Sequence, residues 1–184
     1  MPHDAPAPPP AVTARRILVA GTSGAGKTTL AGRVSTVLGL PYTELDGLYH
    51  GTGWTPRPEF EDDVRAVVAQ DAWVSEWQYT AVRPLLLEHA ELLVWLDPPV
   101  PVVLWQVGTR TVRRRLRRTE LWHGNVEPPL RTVLRDRDHI LRWAWRTRHK
   151  LRGLDERLAR EAPHVRVVRL RSRRDVERWV RSLA

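Results

Sequence analysis

The chain contains no cysteine, which excludes disulfides and thiolate metal sites. Lysine is nearly absent: Lys27 and Lys150 are the only two in 184 residues. No run approaches the roughly 20 apolar residues that a membrane-spanning helix needs. The start, Met1 to Pro10, is rich in proline and alanine without an apolar stretch, so no secretory leader is expected. The seven histidines never form a His-x-x-x-His pair, which argues against a structural zinc site. No internal repeat is visible, and a cytoplasmic setting fits these absences.

What is present is arginine. The net charge is +9 and the isoelectric point about 11.1. Such a balance fits a partner that is a polyanion such as nucleic acid, or a phosphorylated small molecule. Compositional bias toward solvated arginine explains much of the count equally well. With lysine so scarce, one lysine inside a glycine-rich loop is more informative than any single arginine. Nine tryptophans are many for this length and are expected mostly in the core or a cleft wall.

That loop is Gly21-Thr22-Ser23-Gly24-Ala25-Gly26-Lys27-Thr28, a full match to G-x-x-x-x-G-K-[ST]. The apolar run Ile17–Ala20 precedes it and helix-forming residues from Thr28 come after it. Glycines let the backbone curl round an anion with successive N–H groups pointing inward. The helix after the loop adds the positive end of its dipole. Lys27 is expected to reach the β- and γ-phosphates of ATP, and the Thr28 hydroxyl to ligate Mg²⁺. The bland alternative is a loop that keeps this shape without turnover.

Residues 1–13 read as a disordered Pro-rich tail, and 14–184 as a single domain. Strands are predicted at about 15–20, 42–45, 73–75, 92–96 and 165–170. The glycine-rich loop and first helix are predicted over about 21–38, and further helices at about 58–70, 80–89, 101–118, 129–151 and 154–161, with a last one after the capping box at Ser172 and Asp175. Residues 46–54 read as a polar, glycine-rich loop. Alternation of strands and helices predicts an α/β fold: a three-layer, five-stranded, mostly parallel sheet with ligands at the strands' carboxyl ends.

Three acids come directly after strands. Glu76, after the strand expected to neighbour the first, is assigned to the magnesium side. Asp46 is assigned to acceptor binding and to service as the base. Asp97, before two prolines, reads as a structural turn. On the helix at 101–118, Trp105, Val112 and Leu116 fall on one predicted face. Arg110, Arg114 and Arg118 form a row on another, which suits a lid over 106–128 that closes on phosphate charge. A solvated basic face or a nucleic-acid groove would show the same spacing. Leu130, Leu134, Leu141 and Trp145 make a stripe expected to be core packing, with Asp138 on it. His50, His123 and His139 are expected mainly in surface or structural roles.

Several stretches carry a resemblance: the glycine-rich loop, Leu40 to Tyr49, Gly53-Trp54, Trp73 to Tyr79, Arg118 to Asn125, Arg142 to Trp145 and Leu170 to Arg174. From about residue 15 onward the chain resembles the adenylate-kinase-like P-loop proteins called FlaR or "DNA topology modulation protein", relatives of nucleoside monophosphate kinases. The resemblance implies an acceptor-binding region over 46–72 and a mobile lid. It implies that Gly21 to Thr29 hold ATP phosphates and magnesium, and that Arg171 and Arg173 flank the adenine. One departure stands out. The family commonly has Asp-Gly-Asn-Tyr after its third strand, where this chain has Glu76-Trp77-Gln78-Tyr79. Trp77 is therefore expected to bring bulk near the phosphates or the acceptor.

These readings predict an ATP-dependent phosphotransferase acting on a small acceptor, anionic or a nucleotide among the options. A nucleotide-dependent DNA-binding regulator and an NTPase without an acceptor are the alternatives.

Overall fold

The computed structural model describes residues 13–117, 122–124, 151 and 153–183, without the side chains of 112–117 and 122. Most of the expected tail, most of the loop at 119–128 and nearly all of the helix at 129–151 lie outside the described residues. So do Leu130, Leu134, Asp138, His139, Leu141 and Trp145.

Five strands form one parallel sheet in the order β2-β3-β1-β4-β5. They are β1 (Arg16–Gly21), β2 (Tyr42–Thr43), β3 (Trp73–Glu76), β4 (Leu92–Leu96) and β5 (Arg166–Leu170). Strands buried on both faces read as unbroken apolar runs, and side chains alternate between the faces. In β1, Leu18 and Ala20 face one layer while Ile17 and Val19 face the other. In β4, Leu93 and Trp95 face the first layer, and Leu92, Val94 and Leu96 the second.

The first layer is α2 (Leu45–Tyr49), α3 (Phe60–Val68), α4 (Arg83–His89) and α6 (Leu154–Glu161), which bury Leu45, Val64, Leu86, Leu154 and Leu158 among others. The second is α1 (Lys27–Leu38) and α7 (Arg173–Arg181), which bury Leu30, Ala31, Val34 and Val180. Each buried aliphatic side chain contributes about 1.5–3 kcal/mol. Helix α7 carries the expected capping box, with the Ser172 hydroxyl accepting from the Asp175 N–H and the Asp175 side chain accepting from the Ser172 N–H. A forked ion pair of Arg33 with Glu177, at 2.8 Å on each arm, ties α1 to α7.

One boundary differs from expectation. β2 stops at Thr43, and Leu45–Tyr49 is helical rather than the start of a loop. Leu45 is fully buried, and Leu48 and Tyr49 pack against the same core, which is helical spacing. Gly47 in the middle of that short stretch masks the pattern. Beyond it, Thr52–Trp54 forms a single 3₁₀ turn.

Register then sets the site. Val19 of β1 lies opposite Glu76 of β3, and Gly21 lies opposite Leu96 of β4. The chain leaves β1 into the glycine-rich loop at the level where β3 ends in its acid.

Candidate active site

The loop is held by its own glycines and by one helix. Gly24 and Gly26 both have positive φ, 84° and 97°. A Cβ at Gly24 would sit 2.0 Å from the Val107 side chain, so this position needs glycine for space as well as for backbone conformation. At Gly26 nothing lies within 4 Å of such a Cβ, so the conformation alone demands glycine and the space beside it is open. Gly26 caps α1, and the Leu30 N–H donates to its carbonyl at 3.0 Å. Thr22 accepts from the Ala25 N–H at 3.1 Å, closing the turn.

Val107 belongs to α5 (Val100–Arg117). Among its described side chains, the buried ones are Val103, Val107 and Thr111, one stripe at offsets of four. Trp105 is not on that stripe and is 73% exposed, while the side chains of Val112 and Leu116, expected on its face, lie outside the described residues. The residues N-terminal to Arg110 are apolar almost all round the helix, so periodicity could not choose the face. Packing over the loop did. Arg110 is half-buried one residue before Thr111 and acts electrostatically on Lys27. The Arg114 side chain and all of Arg118 lie outside the described set.

Lys27 is half-buried at the mouth of the loop. Burial lowers its ammonium group from the ordinary lysine value, while the carboxylates of Glu76 and Asp46 pull the other way. Arg110 and Arg83 push in the same direction as burial. The sequence-predicted loop lysine and both acids therefore share one electrostatic centre.

The two acids are held alike. Thr28 donates its hydroxyl to Glu76 Oε1 at 2.6 Å, and the Tyr42 hydroxyl donates to the same oxygen at 3.0 Å. Gln78 Nε2 donates to Asp46 Oδ1 at 2.8 Å, and the Tyr79 hydroxyl donates to that oxygen at 2.5 Å. Each carboxylate thus carries a tyrosine and a second donor on one oxygen. Burial, reinforced by the neighbouring carboxylate, raises both tyrosine hydroxyls above their ordinary range, so both stay protonated. Tyr79 holds a positive φ of 60°, rare for a residue with a Cβ.

Aromatic rings surround the Asp46 arm. Tyr49 stacks on Tyr79 at 4.2 Å, with Phe60 edge-on to both. His50 meets Tyr49, Tyr79 and Trp54 edge-on. His123 lies in the turn Trp122–Gly124, which sits against the turn at 52–54 and against α2. Beyond the Tyr49 and Tyr79 rings lies a cleft of about 510 Å³ between α3 and the loop after β3. Its arginines are engaged: Arg57 with Asp63 at 3.0 Å and Arg65 with Asp62 at 2.6 Å.

Trp77 departs from expectation. Its ring is 3% exposed and belongs to the core under α4 and α6, not to the open space near the loop. Asp97 pairs with Arg169 at 2.6 Å, in keeping with a structural role. Arg171 and Arg173 are exposed at the end of β5 and the start of α7. Sequence reasoning missed Tyr42, Gln78, Tyr79 and Arg83 as members of this centre. For Tyr42, Gln78 and Tyr79 the available signals were their place at strand ends and in the stretches that carry the resemblance; Arg83, at the start of α4, had neither.

No protein-family model matches the chain, and no curated protein matches it. Solved structures do. The chain is similar to a gluconokinase from Sinorhizobium meliloti, with a TM-score of 0.53 and 18% identity over 92% of this chain and 91% of that one. It is similar to a shikimate kinase from Acinetobacter baumannii solved with shikimate, with a TM-score of 0.53 and 19% identity over 93% and 91%. A shikimate kinase from Bacteroides thetaiotaomicron gives 0.51 and 16% over 93% and 97%. The chain has the fold of these P-loop kinases. Among the described residues, no helix is long and apolar enough to cross a membrane.

Proposed function

We propose that the chain is an ATP-dependent phosphotransferase that moves the γ-phosphate to a hydroxyl of a small acceptor. The observation that carries this reading is the convergence of Lys27, Glu76 and Asp46 at the open side of the glycine-rich loop. The resemblance to the FlaR branch of adenylate-kinase-like proteins is compatible with it.

The loop from Gly21 to Thr29 would hold the phosphates through backbone N–H groups, with Lys27 on the β- and γ-phosphate oxygens. Arg171 and Arg173 would flank the adenine. Thr28 Oγ1 and Glu76 are hard oxygen donors that meet within 2.6 Å, which suits Mg²⁺. Bound there, Mg²⁺ would neutralise charge on the phosphates. Asp46 would take the proton of the acceptor hydroxyl, the oxygen of which then bonds to phosphorus as the bond to the ADP oxygen breaks. Gln78 and Tyr79 hold Asp46 by Oδ1, which leaves Oδ2 for that proton. Arg110, joined by Arg114 and Arg118 on closure, would bear charge spread over the equatorial oxygens. The acceptor would lie over 46–72, against Tyr49 and Tyr79.

Labelled ATP with a panel of sugars, hydroxy acids, nucleosides and nucleoside monophosphates tests this reading. One compound should gain label, and Lys27→Ala should abolish the transfer. ATP loss without any labelled product, or transfer unchanged in Lys27→Ala, would overturn it.

A further inference from the structure

The cleft of about 510 Å³ between α3 and the loop after β3 is walled by the rings of Tyr49, Phe60 and Tyr79. The two tyrosine rings are stacked with centroids 4.2 Å apart, and Phe60 meets them edge-on at 5.0 and 5.1 Å. Both tyrosines are half-buried, so part of this apolar wall stays in water. A flat apolar ligand that covers it gains burial and ring contact together. One side chain joins the cleft to the reacting centre. The Tyr79 ring lines the cleft, and its hydroxyl donates to Asp46 Oδ1. A ring lodged against Tyr79 therefore brings a hydroxyl on a short arm toward Asp46.

The charged side chains of the cleft are already matched to one another. Arg57 pairs with Asp63 at 3.0 Å and donates to the Leu48 carbonyl at 3.1 Å. Arg65 pairs with Asp62 at 2.6 Å and with Glu61 at 3.6 Å. A phosphate or carboxylate entering here competes with these acids for the same guanidinium groups. An ammonium group competes with the arginines for the same carboxylates. A charge that loses that competition leaves water without a partner, at a desolvation cost. A neutral ligand competes with nothing. Backbone strain marks the same neighbourhood. Among the described residues, those other than glycine with positive φ are Trp54, Tyr79 and His123, at 62°, 60° and 54°. Trp54 and Tyr79 meet His50 edge-on, and the turn of His123 sits against the turn at 52–54. Such strain persists where the surroundings hold the wall of a ligand site in one shape.

We propose that this cleft takes an uncharged aromatic or similarly flat ring of the acceptor, so that phosphate passes to a hydroxyl of a neutral, ring-bearing molecule and not to an anionic one. This rests on the phosphotransferase reading and names the acceptor class within it.

The test uses ligand-observed NMR on the full chain loaded with a non-hydrolysable MgATP analogue, which fills the anion site of the glycine-rich loop. Three probes of one size differ in charge. Phenylethanediol is neutral, mandelate carries a carboxylate and phenylglycinol an ammonium group. Propanediol lacks the ring. Phenylethanediol should bind with a Kd of about 1 mM, the strength open to so few atoms. The other three should bind at least about threefold more weakly. Tyr49→Leu keeps apolar volume and removes the stacked ring. It should weaken phenylethanediol about threefold to tenfold and leave the analogue within about twofold. Should that variant melt early, Glu61→Gln combined with Asp62→Asn carries the test, since both side chains are exposed. It frees Arg65 and should bring mandelate to at least the affinity of phenylethanediol. Mandelate, phenylglycinol or propanediol binding the unmutated chain as tightly as phenylethanediol would overturn the proposal. So would no binding of phenylethanediol, no loss in folded Tyr49→Leu, or mandelate unmoved in the double variant. Failure of the MgATP analogue itself to bind would instead sink the phosphotransferase reading.

Discussion

Glu76 and Asp46 are built on one plan and placed in different surroundings. Each has a tyrosine hydroxyl and one further donor on a single carboxylate oxygen. Glu76 is 1% exposed, sits at the end of β3 and is tied to the loop through Thr28. Asp46 is half-buried on α2, is tied to the segment after β3, and stands beside stacked aromatic rings. In the proposed reaction, a carboxylate fastened to the loop threonine serves the metal and phosphates. In the same proposal, a carboxylate fastened away from the loop and beside an apolar wall serves the acceptor. On that proposal the same clamp serves two roles because the two acids stand in different surroundings.

The largest effect that separates them is expected from Asp46→Asn. Loss of a general base typically costs about 10²- to 10⁴-fold, so kcat should fall on that scale with MgATP affinity nearly unchanged. Steady-state rates and calorimetry together check this, and a fall in MgATP affinity as large as the fall in rate would erase the distinction. Glu76→Gln should do the reverse. MgATP affinity and the Mg²⁺ concentration for half-maximal rate should worsen by about 10- to 100-fold. A variant with an unaltered Mg²⁺ requirement would remove Glu76 from the metal side.

The tyrosines sharpen the comparison at smaller scale. Tyr79→Phe should lower kcat about tenfold with the KM for ATP unchanged, since a charged acceptor loses one hydrogen bond. Tyr42→Phe should raise the Mg²⁺ requirement a few-fold and spare the KM of the acceptor. Matching profiles from the two variants would mean that the clamps do not act separately. The smallest effect is a displacement in pH. Burial lowers the Lys27 ammonium, so it loses its proton, and MgATP affinity should decline, at a pH below the usual lysine range. Lys27→Arg keeps the charge and should move that decline to higher pH. Identical alkaline limbs in both proteins would remove Lys27 from the phosphate contact.

The sheet was legible because its information is local. Unbroken apolar runs such as Leu92–Leu96 describe strands buried on both faces, and the glycine-rich motif specifies the turn and helix after β1. That Glu76 would lie beside the loop came from expecting β3 next to β1, which the register bears out. The clamps were not legible. Tyr42 meets Glu76 across 34 positions and Tyr79 meets Asp46 across 33, and no periodicity reports such a meeting. Trp77 reads as a residue near the ligand because it takes the place of a glycine in the Asp-Gly-Asn-Tyr of the family that the chain resembles. At the end of β3 consecutive side chains point to opposite sides, so Glu76 turns to the loop and Trp77 into the core. Trp105 misleads for a related reason: an aromatic residue looks like the marker of a buried face, while the side chain that α5 lays on Gly24 is Val107.

The central claim is that Lys27 and the loop around it grip a triphosphate and present its end for transfer. Titration of MgATP into the folded chain, beside Lys27→Ala, tests it most directly. The account predicts saturable one-to-one binding, weakened at least about a hundredfold in Lys27→Ala, as expected when a charge-assisted contact in a buried site is lost. No heat from well-folded protein, or equal binding by the two chains, would contradict it.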